Sequence, residues 1–124
     1  MKISEYNKII NLKPKTNKYN NVRSSYGGVV FHSKKEAVYA RNLDLLKSAK
    51  DPAQRVVIYE TQVKYPFIHD GMLICRYELD FKVTYGDGRV EHIDVKSPAT
   101  RKNSTYRIKK KMMKAFYNIE VLER

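Results

Sequence analysis

Residues 73–96 read LICRYELDFKVTYGDGRVEHIDVK. Two runs rich in β-branched and aromatic residues, 73–85 and 89–96, flank Gly86-Asp87-Gly88, and this pattern predicts a β-hairpin. A three-residue loop with Gly88 in the left-handed conformation sets Tyr85 opposite Arg89. Carried back along the strands, the same pairing sets Asp80 opposite Asp94. Leu79, Phe81 and Val83 then share an apolar face with Ile93 and Val95, while Asp80, Lys82, Asp94 and Lys96 share the outer one. A slip of one residue would place Asp80 on the apolar face, which is costly.

Directly opposed Cβ atoms are roughly 4.5–5.5 Å apart. Two carboxylates at that spacing repel unless a cation or a proton lies between them. Hard oxygen donors favour Mg²⁺ or Mn²⁺. Lys96 projects from the same face, where it could hold an attacking water or balance the charge of a phosphate. A metal between carboxylates, a lysine and a basic surface together suit phosphodiester hydrolysis. Taken alone, Asp94 and Lys96 read more readily as an exposed ion pair, worth at most about 1 kcal/mol. His92 points to the same face and reads as solvated or as a phosphate contact.

Outward from the hairpin, Ser33-Lys34-Lys35-Glu36 has the spacing of a capping box and predicts a helix that fades near Lys50, ahead of Asp51-Pro52. Tyr39, Ala40, Leu43 and Leu46 form its apolar stripe. YGGVVF (26–31) reads as a turn followed by a short extended segment. VVIYETQVKYPF (56–67) reads as a strand, and His69-Asp70-Gly71 as a turn. SPATRKNS (97–104) reads as a basic loop. TYRIKKKMMKAFYN (105–118) is expected to be a helix with Ile108, Met112, Ala115 and Phe116 inward, and IEVL (119–122) a closing strand. The order α-β-β-β-α-β defines a mixed α/β layer arrangement. On the first helix, Glu36 either caps or completes the acid site. Glu60 and Gln62, on the strand before the hairpin, are accessory candidates.

The chain has 124 residues and a formal net charge of +12, from 25 Lys+Arg against 13 Asp+Glu. Such a bias points to a polyanionic partner, most often nucleic acid. Arg101, Lys102, Arg107, Lys109, Lys110, Lys111 and Lys114 form a run without an acid, read as a DNA-backbone contact rather than a solvated face. The lone cysteine, Cys75, precludes an internal disulfide and a cysteine-based zinc site. No apolar run approaches the roughly 20 residues of a membrane span, so a soluble, cytoplasmic protein is expected. Residues 1–24 read as a basic, flexible arm ahead of a domain over 25–124.

Glu36, Asp80 in YELDF (77–81) and Asp94-Val95-Lys96 in VEHIDVK (90–96) resemble the ordered motifs of the PD-(D/E)XK nuclease superfamily. NKYN (17–20), FHSKKEA (31–37), the Gln62…Pro66-Phe67 segment and the Thr105–Met113 helix extend the likeness, more narrowly, to a group of small phage-encoded proteins of that superfamily. Leu79 stands where the superfamily name has proline, and Asp94 where glutamate is more frequent. The resemblance implies a restriction-endonuclease-like αβββαβ core with a mixed central sheet. It also implies metal ligation by Asp80, Asp94 and the Val95 carbonyl, with Lys96 as the catalytic lysine and Glu36 and Gln62 as helpers. The implied activity is a Mg²⁺-dependent endodeoxyribonuclease, with branched DNA such as a Holliday junction as one substrate in phage recombination or replication. A homodimer would supply the two active sites that a junction needs. The competing expectation is a nucleic-acid-binding protein without catalysis on the same fold.

Overall fold

A computed structural model describes residues 23–124. The arm expected over residues 1–24 lies outside the described residues, apart from Arg23 and Ser24. The described residues divide into two compact units, with the boundary between Arg41 and Asn42.

In the first unit, β1 (Ser24–Tyr26) pairs antiparallel with β2 (Val29–Phe31). Gly27 and Gly28 join them, both at positive φ, so this segment is a tight hairpin rather than a turn with one extended strand. Helix α1 (Lys34–Leu46) follows, with the Glu36 N–H donating to Ser33 Oγ at 3.1 Å as the capping spacing predicts. It stops at Leu46, short of Lys50. The next turns close through shorter-range bonds, Lys47 N–H to Asp44 O at 3.2 Å and Ala49 N–H to Leu46 O at 3.1 Å.

The second unit is built on a four-stranded mixed sheet in the order β3-β4-β5-β6. Strands β3 (Val56–His69) and β4 (Met72–Tyr85) are longer than the hydrophobic runs suggested, because Asp70 and Gly71 both take positive φ and make a two-residue hairpin turn. β5 (Val90–Asp94) is antiparallel to β4, and β6 (Val121–Glu123) is parallel to β5. The crossover between β5 and β6 holds α2 (Pro98–Arg101) and α3 (Ser104–Tyr117). From α1 onward the order is the expected α-β-β-β-α-β, with α2 added. Residues 97–104 are thus not all loop: Ser97 Oγ accepts the Thr100 N–H and caps that short helix. Among the described residues, no helix is long and apolar enough to cross a membrane.

The β4–β5 register is the one the sequence predicts. Phe81 faces Ile93 and Thr84 faces Val90. Tyr85 N–H donates to Arg89 O at 2.9 Å, Gly88 N–H returns to Tyr85 O at 3.0 Å, and Gly88 has φ +89°. The turn is also docked. Gly86 N–H reaches Arg55 O at 2.8 Å, and a Cβ at Gly86 would lie 3.0 Å from Pro52 O, so a side chain there would crowd that carbonyl.

One core cluster joins Phe67, Tyr77 and Leu79 of β3 and β4 to Tyr106 and Met113 of α3 and Val121 of β6. This corrects the expected phase of α3. Ile108 and Phe116 are exposed, and Tyr106 and Met113, seven residues apart, carry the burial. Met112 packs against the cluster from its margin.

Gln62 interrupts β3 with φ +53° between the pairs Thr61–Phe81 and Val63–Leu79. Left-handed backbone costs a residue with a Cβ about 1–2 kcal/mol, and a β-branched residue tolerates it worst. Gln62→Gly is therefore expected to be more stable than Gln62→Val by about 1–2 kcal/mol in urea denaturation, the reverse of ordinary strand preference.

Candidate functional site

Asp80 lies near the middle of β4 and Asp94 ends β5. Beyond Phe81–Ile93, the two strands are joined through these side chains. Asp94 Oδ1 accepts the Asp80 N–H at 3.0 Å, and Asp80 Oδ2 accepts the Val95 N–H at 2.9 Å. Each carboxylate thus takes the place of a main-chain carbonyl and closes the seam between the strands. On the other side of β5, the Asp94 carbonyl accepts the Arg124 N–H at 2.9 Å.

The sequence reading put this pair on an outer face. Instead Asp80 is 5% exposed and Asp94 0%. Burial raises the pKa of Asp94, opposed by the Lys96 ammonium and by the hydrogen bond from the Asp80 backbone. Lys96 Nζ lies 3.7 Å from Asp80 Oδ2 and 3.9 Å from Asp94 Oδ2, so it faces both acids. It also stands 5.1 Å from the centre of the Tyr106 ring, a cation–π contact. Asp94 Oδ2 is buried and accepts no hydrogen bond among the described residues.

This donor set can be tested against Mg²⁺ or Mn²⁺. No group of three or more His, Cys, Asp or Glu is arranged to hold an ion among the described residues. Mg²⁺ does not need one: it is commonly held by one or two carboxylates and keeps several waters. Two adjoining buried carboxylates, one with an oxygen that accepts no hydrogen bond, fit that pattern. The Val95 carbonyl is the expected third oxygen.

The other candidates are placed differently. Glu36 is buried in the first unit at the start of α1. Glu60 is exposed and sits across from Lys82, whose Nζ is 3.9 Å away, so it belongs to a surface ion pair. Gln62 is set across from Asp80 by the pairs on either side of it. His92 packs edge-on against Tyr65, with ring centres 6.5 Å apart, and burial followed by the nearby Lys82 lowers its pKa.

The basic run is partly neutralised, contrary to the count over residues 101–114. Glu123 of β6 receives Lys110 Nζ at 2.5 Å and Arg101 Nε at 3.1 Å, and Glu120 lies 3.5 Å from Lys114 Nζ. Lys102, Arg107 and Lys111 are exposed and make no ion pair among the described residues.

Two residues near the acids went unnoticed in the sequence. Tyr106 was read only as part of a helix; burial, then the carboxylates of Asp94, Glu123 and Asp80, raise the pKa of its hydroxyl. Glu123 lies past the basic run of residues 101–114 in sequence. The hydrogen bond from Lys110 lowers its pKa more than burial raises it. A carboxylate with a depressed folded pKa stabilises the fold above its unfolded pKa and loses that contribution as pH falls through the folded one. Glu123→Gln is therefore expected to cost about 1 kcal/mol at pH ~7. The gap to wild type should close between about pH 5 and 3 in a series of thermal melts.

A basic α/β chain with two buried acids and a half-buried lysine facing them on the β4–β5 seam is the class that fold and site define. The chain belongs to the family described as protein of unknown function DUF1064, which it matches over residues 16–122. No curated protein and no solved structure matches it.

Proposed function

We propose that this chain is a metal-dependent endonuclease of the PD-(D/E)XK kind that hydrolyses DNA phosphodiester bonds. The observation that carries the reading is the cluster of Asp80, Asp94 and Lys96: two buried carboxylates on adjacent strands with one ammonium facing both. Asp80 and Asp94, with the Val95 carbonyl, would hold Mg²⁺ or Mn²⁺. A metal held there would polarise the scissile phosphate and lower the pKa of an attacking water. Lys96, backed by the Tyr106 ring, presents its charge where the phosphate or that water would sit. Burial raises the Asp94 pKa and the Lys96 ammonium opposes that rise, so a cation at this place favours the ionised acid.

The exposed Lys102, Arg107 and Lys111 are the first candidates for the DNA backbone. Arg101, Lys110 and Lys114 join them once phosphate competes with Glu123 and Glu120. Branched DNA, a homodimer and phage recombination or replication in the host cytoplasm complete the proposal.

A second reading has its own support. Lys96 already neutralises part of the acid pair, so the cluster also serves a nucleic-acid-binding protein without catalysis. Incubation of purified protein with supercoiled, linear, single-stranded and four-way-junction DNA, with Mg²⁺, Mn²⁺ or EDTA, separates the two. Metal-dependent nicking above the Lys96→Ala background is the expected result. Its absence on every substrate would leave the binding reading standing. Under either reading, Arg107→Ala with Lys111→Ala should weaken DNA binding without regard to sequence. The slope of log K against log salt should become shallower by about 2 on duplex DNA in fluorescence-anisotropy titrations.

A further inference from the structure

Two cations from different helices converge on one carboxylate. Glu123 Oε1 receives Lys110 Nζ at 2.5 Å, and Glu123 Oε2 receives Arg101 Nε at 3.1 Å. Arg101 comes from α2, Lys110 from α3 and Glu123 from β6. Each oxygen of the carboxylate thus has its own cation. A phosphodiester also presents two oxygens that share one negative charge, and Arg and Lys bind either group through the same charge-assisted bonds. The Arg101 and Lys110 side chains are 43% and 35% exposed, so a phosphate has access to both. Exposed ion pairs contribute little to a fold, so exchanging one anion for another costs little.

The surroundings identify the anion. Residues 95–119 contain no Asp or Glu, so the acid at this point is supplied from beyond α3. Lys102, Arg107 and Lys111 on the same two helices and their junction are exposed, and a row of cations of this kind suits a polymer of phosphates better than a single ion. Glu123 also stands across from Asp94 in the parallel pairing of β5 with β6. Neighbouring strands lie about 4.8 Å apart, so a backbone held at the acids brings a second phosphate within reach of Arg101 and Lys110. We infer that Arg101 and Lys110 form a seat for a DNA phosphate beside the acid cluster, and that Glu123 fills this seat in the free chain and so restrains DNA binding.

The inference rests on DNA as the partner and not on cleavage, so its test reads binding in EDTA. Glu123→Gln should bind a fluorescein-labelled duplex about 3–10-fold tighter than wild type in anisotropy titrations at low salt, although it melts lower. Asp70→Asn removes the same charge at the β3–β4 turn and should stay within about 2-fold of wild type. Arg101→Ala with Lys110→Ala should cancel the gain in the Glu123→Gln chain. Lys110→Ala in the wild-type chain is a second reading: it should weaken binding more than Lys64→Ala, an equal charge lost from β3. Inorganic phosphate should displace the duplex no better than chloride at matched ionic strength. A Glu123→Gln chain that binds no tighter than Asp70→Asn overturns the inference, as does a gain that survives the loss of Arg101 and Lys110. Lys110→Ala binding as well as Lys64→Ala overturns it too, and displacement by inorganic phosphate beyond chloride overturns the DNA strand as occupant. Tighter binding by Glu123→Gln without any cleavage would support the seat and count against the nuclease reading alone.

Discussion

Asp80→Asn should retain the fold but lose about 10²–10⁴-fold in Mg²⁺-dependent DNA cleavage, the range for removing a group that acts in the transition state. Asparagine is the informative choice. Asp80 Oδ2 accepts the Val95 N–H, and an amide oxygen can still accept it. The substitution therefore removes charge while leaving the strand seam closed. Asp80→Ala would remove both and mix a folding defect with a chemical one. Lys96→Ala tests the other half of the cluster and should be comparably inactive. Both variants should bind DNA about as tightly as wild type, because the phosphate contacts proposed on α2 and α3 are untouched. Plasmid nicking under single-turnover conditions, with anisotropy on the same preparations, measures both quantities. Cleavage by Asp80→Asn at the wild-type rate would refute the metal-site assignment.

Asp94 is expected to dominate stability as Asp80 tests chemistry. Asp94→Ala deletes the acceptor for the Asp80 N–H in a fully buried setting. An unsatisfied buried donor costs about 1–3 kcal/mol. Asp94→Asn keeps an acceptor oxygen and discards a buried charge. Burial is the largest influence on the Asp94 pKa and raises it. The fold thus prefers the protonated acid. That preference is fully present below the ordinary aspartate range and is lost as pH rises through the folded pKa. The Asn variant imitates the protonated acid at every pH. In EDTA its melting temperature should gain on wild type as pH climbs from about 4 to 8. Mn²⁺ should then raise the melting point of wild type and leave Asp94→Asn nearly unchanged, which distinguishes ligation from packing.

The hairpin at the centre of the fold was legible because two independent signals agreed. Period-two alternation in residues 79–83 and 93–95 and the Gly-Asp-Gly turn both required Asp80 across from Asp94. The burial of that pair was not legible, since an Asp-x-Lys on a strand looks the same at a surface as in an interior. What differs is the covering by α3, whose buried side is not the one its hydrophobic pattern predicts. Ile108 and Phe116 are the more hydrophobic residues, yet Tyr106 and Met113 face the sheet. A tyrosine whose hydroxyl is buried beside carboxylates does not stand out on a hydrophobicity pattern. Gln62 gave no warning of its left-handed backbone, because that conformation usually announces itself through glycine or asparagine. Glu120 and Glu123 were missed as counter-ions because they lie past α3 in sequence and return to its cations only through the parallel pairing of β6 with β5.

The carboxylate-to-amide bonds that close β4 against β5 have an evolutionary consequence. Selection for a folded chain alone would preserve an acceptor at both Asp80 and Asp94. Lys96 is kept for a different reason: its ammonium faces both acids, 3.7 Å from Asp80 Oδ2 and 3.9 Å from Asp94 Oδ2, rather than supplying an acceptor to a main-chain N–H. In a lineage that abandoned cleavage, the lysine should drift first and the acids should linger or turn to asparagine. Position 96, more than either acid, is where the history of the activity would be written.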